Sequence, residues 1–182
     1  MNDFARDDAW QRGVRDRLLA PFYAKRATGG RYVFIDKGKI ASKLQRLYAV
    51  DTILQGGDGE AICVEEKIVR WPAKRGTPYT AFSLETKSCT VPGREAPGWM
   101  WYGEADYLLY AFETAAGGLD CHLIDFPKLQ EWFWKCERDF PTFGPLATLN
   151  RSAGRVVPIE SVRAAIPCWR FPVEEEASCP AT

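Results

Sequence analysis

The sequence has little of what most small-protein chemistry is built from. It holds one histidine, His122, and six cysteines (63, 89, 121, 136, 168 and 179) with no CxxC pair among them. Zinc sites draw on closely spaced Cys and His, and no segment carries that spacing. The cysteines read instead as reduced, mostly buried thiols of a cytoplasmic protein. No apolar run approaches the roughly 18 residues of a membrane span, and the opening MNDFARDDAWQRG is charged rather than signal-like. The chain is therefore expected to be soluble, with no membrane partner. No Gly-rich loop joins a strand to a helix, which excludes P-loop nucleotide hydrolysis, and neither a GxSxG elbow nor a cysteine–histidine protease signature occurs. Net charge is also lacking, with 24 basic against 24 acidic residues. No whole-molecule field draws the chain to nucleic acid, so an anionic partner must meet a local patch. There are no internal repeats.

Apolar residues are plentiful. They make up 46% of the chain, with seven Trp, seven Tyr and ten Phe, a composition that excludes disorder for its bulk. A chain of 182 residues buries roughly 70% of its unfolded surface as one domain and needs no metal or disulfide staple. That domain is expected over 1–171, with 172–182 a disordered acidic tail containing Glu174-Glu175-Glu176. Trp10, Val14, Leu18 and Phe22 form a stripe that predicts a helix over 7–25, bent or stopped near Pro21. Strands are predicted at 32–35, 47–54, 61–70, 80–88, 107–114, 119–126 and 155–159. Helices are predicted at 127–138, opened by Pro127, and at 160–165. The fold class is α/β or α+β, with a mixed central β-sheet flanked by helices.

Charges interrupt the predicted strands. Asp51 lies within LYAVDTIL, Glu65-Glu66-Lys67 within AICVEEKIVR, and Glu85 and Lys87 within AFSLETKS. A buried carboxylate pairs, protonates or binds a cation. Alternation sends Glu65 and Lys67 to one face and Glu66 to the other. A hairpin through Gly56-Gly57-Asp58-Gly59 with a four-residue turn would set Asp51 opposite Val64, so bringing it to Glu65 needs a one-residue shift or a bulge. In that register two carboxylates and an ammonium converge, an oxygen set that suits Mg²⁺ (or Mn²⁺).

Asp51 followed by Glu65-Glu66-Lys67 resembles the D…(D/E)xK signature of the PD-(D/E)xK nuclease superfamily, the restriction-endonuclease-like fold. Gln45–Asp51, Ser83-Leu84-Glu85 and the Gly98-Trp99…Ala105-Asp106-Tyr107 stretch resemble its small phage and bacterial members, and the likeness covers roughly 8–135. The resemblance implies Asp51 and Glu65 as metal ligands, Lys67 as the residue that positions water, and a further carboxylate on the first helix, for which Asp16 is the candidate. Val50 stands where the pattern often has proline. Glu85-Thr86-Lys87 forms a competing ExK, leaving Glu85 as a catalytic candidate, and a bulge would make Glu66 the ligand instead.

Residues 67–94 hold six basic side chains (Lys67, Arg70, Lys74, Arg75, Lys87, Arg94) against one acid, Glu85, interleaved with Trp71 and Tyr79 and followed by Trp99 and Trp101. Basic groups neutralise phosphates and aromatics stack on bases, so Arg70, Lys74, Arg75, Lys87, Arg94 and Trp99 are candidate nucleic-acid contacts. The alternative for this stretch is a solvated loop with buried tryptophans, and for the acids a salt-bridged exposed face. His122 is expected to be a packed or a surface histidine rather than a base. The reading is a Mg²⁺-dependent nuclease acting on DNA, with a homodimer or protein partner not excluded. Its rival is a non-catalytic phage or bacterial binding or inhibitory factor that retains the fold.

Overall fold

The computed structural model describes residues 3–26, 31–34, 47–55, 59–72, 76–145 and 152–174. The fold is mixed α+β with two sheets. The larger has six strands: β1 (Arg31–Phe34), β2 (Thr52–Gln55), β3 (Ala61–Val69), β6 (Tyr107–Glu113), β7 (Leu119–Asp125) and β10 (Cys168–Val173), in the order β1-β2-β3-β6-β7-β10. All neighbours are antiparallel except the central β3–β6 pair, which is parallel. β6 reads YLLYAFE, and its five residues Leu108–Phe112 are all buried, as expected for a strand covered on both faces.

The expectation of one central sheet is corrected: β4 (Ala81–Cys89) belongs to a second, four-stranded antiparallel sheet with β5 (Ala96–Pro97), β8 (Thr142–Phe143) and β9 (Ala153–Pro158), in the order β5-β4-β9-β8. Its alternation drives Phe82 and Leu84 into the interior, while Ser83 faces out.

Two cores lie on opposite faces of the large sheet. Val64, Ile68, Leu109 and Ala111 are covered by Val14, Leu18, Leu19 and Tyr23. These come from α1 (Asp3–Val14), a π-helical turn (Arg15–Leu19) and α2 (Ala20–Arg26). On the other face Leu108, Tyr110, Phe112 and Ile124 meet Phe82 and Leu84. Phe126, Leu129 and Phe133 of α4 (Phe126–Cys136) close that core, with Trp99 and Met100 of the four-residue α3 (Trp99–Tyr102) and Val162 of α5 (Ile159–Ala165). α4 begins as its sequence predicts: Asp125 accepts a hydrogen bond from the Lys128 N–H at 3.1 Å, and Pro127 occupies the first turn.

Three other expectations change. Pro21 does not end the first helix; the π-helical turn precedes it, and α2 runs on to Arg26. The strand expected from Leu47 starts only at Thr52, after two helical residues and Ala49 in the left-handed region (φ 49°). Pro172 and Val173, expected to open a disordered tail, instead pair with Asp120 and Leu119 of β7. Residue 35 of the strand predicted at 32–35, residues 56–58 of the glycine turn and residues 175–182 lie outside the described residues. Among the described residues, no helix is long and apolar enough to cross a membrane.

Candidate active site

The register between β2 and β3 decides where the carboxylates meet. Thr52 pairs with Val64, Ile53 with Cys63, Leu54 with Ile62 and Gln55 with Ala61. Five residues therefore join the strands rather than four, which supplies the one-residue shift that convergence requires. One step further, Asp51 falls opposite Glu65, and its N–H donates to the Val64 carbonyl at 2.9 Å. Asp51 acts on Glu65 both as a like charge and as a side-chain hydrogen-bond partner, and both effects favour a proton on Glu65. Burial first, then the Asp51 charge, holds the Glu65 carboxyl well above the ordinary range, and Lys67 opposes the shift.

Lys67 follows Glu65 on the same face. Burial works to lower its pKa, but the charges of Glu65 and Glu85, then Tyr110 and Asp51, outweigh that and raise it. The side chain is therefore an ammonium at neutral pH, a hydrogen-bond donor and not a base. Its Nζ lies 5.6 Å from the centre of the Trp99 ring, within cation–π range. Glu85 approaches from the second sheet. Burial raises its pKa, while Lys67 and a hydrogen bond with the Ser152 side chain work the other way. A bulge between Glu85 and Lys87 breaks the regular alternation, so that Glu85 is half-buried and Lys87 exposed.

Glu66 is not the partner of Asp51 and Glu65. It points to the helical face, where Oε2 accepts from Arg15 Nε at 2.7 Å and Oε1 accepts from Thr52 Oγ1 at 2.6 Å and Tyr23 Oη at 2.9 Å. Burial raises its pKa, and Arg15, Thr52 and Tyr23 counter this. The two faces touch at Asp51, whose Oδ2 accepts the Glu66 N–H at 3.1 Å and whose Oδ1 lies 4.0 Å from Arg15 Nη2.

The remaining candidates scatter. Asp16 is exposed, and it is Arg15 that reaches the site from the first helix. Trp99 is 3% exposed and part of the core, so it is corrected from a base-stacking residue to a wall beneath Lys67. Arg70 is exposed at the end of β3, with its guanidinium 4.4 Å from the centre of the Trp10 ring. By strand parity it belongs to the face of Glu66, away from Lys67. Lys74 and Arg75 lie outside the described residues. Arg94 is exposed in the turn before β5. His122 is buried between Phe82 and Phe112, as its apolar surroundings in the sequence suggest. Asp106 serves the fold: it accepts the Cys63 N–H at 2.8 Å and donates its own N–H to the Cys63 carbonyl.

Sequence reasoning missed Tyr102. Burial raises its phenol pKa, and the charges of Glu65, Glu85 and Asp51 add to this against Lys67, so the hydroxyl remains a donor beside the acids. The signal available was the GW stretch itself, but nothing in its spacing distinguishes Tyr102 from Trp101. Among the described residues, no group of three or more His, Cys, Asp or Glu gathers closely enough to enclose a metal ion. Comparison of the chain with protein-family models, with curated proteins and with solved structures finds no match.

Proposed function

We propose that the chain is a Mg²⁺-dependent nuclease with a restriction-endonuclease-like core, hydrolysing DNA phosphodiesters. The observation that carries this reading is the register that sets Asp51 opposite Glu65, with Lys67 two residues further along the same face of β3. A carboxyl whose proton is favoured by a second acid beside it offers, with that acid, an oxygen pair that suits a divalent cation. Two protein ligands rather than an enclosing cage also suit Mg²⁺, which keeps several waters and takes oxygens from substrate phosphate. When bound, the cation polarises a phosphoryl oxygen and lowers the pKa of its water. Asp51 and Glu65 would hold it. Lys67 donates to the attacking water or to a phosphate oxygen where charge develops, and Glu85 keeps that ammonium charged and in place. Tyr102 offers a second neutral donor on the same side.

The rival, a non-catalytic binding factor on the same fold, draws on the contacts Asp51 already makes with Arg15 and the Glu66 N–H. Labelled single- and double-stranded DNA incubated with Mg²⁺ separates the two. Cleavage is expected from the wild-type chain and none from Glu65→Gln, with a loss of about 10²–10³-fold in Lys67→Ala, the scale for removing one preorganised donor. Absence of cleavage on any substrate, together with absence of metal binding, favours the rival.

A further inference from the structure

α3 presents its aromatic residues in different directions. Trp99 and Met100 are buried, Tyr102 lies within reach of the acid cluster, and Trp101 is 59% exposed. A tryptophan so exposed leaves much of its apolar surface in water, and it normally finds a use at an interface. Trp101 is also held firmly. Gly98 N–H donates to the Thr86 carbonyl at 2.9 Å, and Gln130 Nε2 donates to the Met100 and Gly103 carbonyls at 3.1 and 3.0 Å. Its ring stacks on Trp134 of α4 with centroids 3.8 Å apart and planes at 28°. It also lines a groove of about 460 Å³ against β4 and β5, whose walls include Thr86, Lys87 and Pro97.

We infer that Trp101, backed by Trp134, is a stacking platform for a base of single-stranded DNA, with Lys87 meeting a phosphate of the same strand. The inference rests on the nuclease reading and names its substrate class. Only an unpaired strand offers a free base face, because bases inside a duplex are already stacked. Position supports it: Gly98, just before α3, donates to the Thr86 carbonyl, and Trp101 shares its groove with Thr86 and Lys87, which follow Glu85 on β4. Lys87 lies two residues beyond Glu85 on β4, exposed at the groove. Glu95 also lines the groove, so stacking rather than charge dominates there.

The test is fluorescence anisotropy of the full chain with fluorescein-labelled oligo(dT) and with a hairpin duplex of equal length, both in EDTA so that no cleavage intervenes. The wild-type chain is expected to bind oligo(dT) more tightly than the hairpin. Trp101→Ala weakens oligo(dT) binding about ten-fold or more, the scale for one base–aromatic stack, and Trp101→Phe restores part of it. Lys87→Ala lowers the salt slope by about 0.7, the value for one single-strand phosphate contact. Absence of oligo(dT) binding, a preference for the hairpin, or unchanged affinity in Trp101→Ala overturns the inference. The two readings separate cleanly. Trp101-dependent binding without cleavage keeps the platform and sinks the nuclease, whereas cleavage that needs Glu65 with binding indifferent to Trp101 does the reverse.

Discussion

Glu65 and Glu66 are adjacent in the chain and lie in opposite environments. Glu66 is a satisfied structural carboxylate with three side-chain donors, whereas Glu65 faces another acid. Their substitutions should therefore differ in kind. Glu66→Ala takes the 2.7 Å ion-pair partner from the part-buried Arg15 and leaves the Thr52 and Tyr23 hydroxyls without their acceptor, which should cost about 3–5 kcal/mol, read as a lowered midpoint in urea unfolding. Glu65→Gln removes a strained charge and should raise the melting temperature at pH 8 while abolishing metal binding. The sign follows from the raised folded-state pKa of Glu65. The group stabilises the fold fully below its unfolded value of about 4.3, and that stability is lost as pH rises through the folded value. The gain from Glu65→Gln should accordingly shrink as the pH is lowered toward 4; an equal gain at pH 4 and pH 8 would contradict this origin. Alternation alone made the Glu65–Lys67 pairing legible. Burial of Trp99 and exposure of Trp101 were not, because residue type is the same and a four-residue helix has no periodicity to read.

At the scale of elements, the site depends on how closely α3 approaches β4. Gly98 lies so near that a Cβ there would collide with the Glu85 carbonyl and stand 2.8 Å from the Lys87 nitrogen. Backbone cannot yield as a side-chain tip can. Gly98→Ala should therefore destabilise by about 1–3 kcal/mol and displace Tyr102 and Trp99 from Lys67, visible as a lowered melting temperature and altered tryptophan fluorescence. Most central elements were legible because they are long and patterned: β3, β6, β7 and α4 match their predicted spans to within a residue or two. β10 was not, since CWRFPV with its proline resembles the start of a tail. It is an edge strand, bonded only to β7, where a missing N–H is tolerated. The hairpin register was open in the sequence because a four- and a five-residue connection are both compatible with the glycine cluster; the pairing of Thr52 with Val64 fixes it.

At the scale of the whole molecule, the sheet order joins segments remote in the chain, and no local pattern announces it. β4 follows β3 in sequence, yet β6 takes the place beside β3 and β4 builds the second sheet. Glu85 consequently reaches Lys67 across the interface between sheets and not along one. His122 marks the same interface, packed between Phe82 of one sheet and Phe112 of the other. Burial lowers its pKa; Asp120, with an oxygen 3.8 Å from Nε2, and Glu160 oppose this, while Arg170 and Arg163 add to it. A depressed histidine contributes stability above its unfolded value of about 6.5, lost as pH falls through the folded value. His122→Leu should thus flatten the fall in melting temperature between pH 7 and pH 5, and an unaltered fall would place the acid sensitivity elsewhere.

The central claim is that Asp51 and Glu65 meet where a divalent cation would bind. Calorimetric titration of the metal-free chain with Mn²⁺ near neutral pH, repeated in two buffers of different ionisation enthalpy, tests it directly. The account predicts one binding event per chain accompanied by proton release, since a cation that enters draws the raised pKa of Glu65 down. It predicts that Glu65→Gln abolishes the event and that Lys67→Ala retains it. No Mn²⁺ binding by the wild-type chain, or binding unchanged in Glu65→Gln, would contradict it.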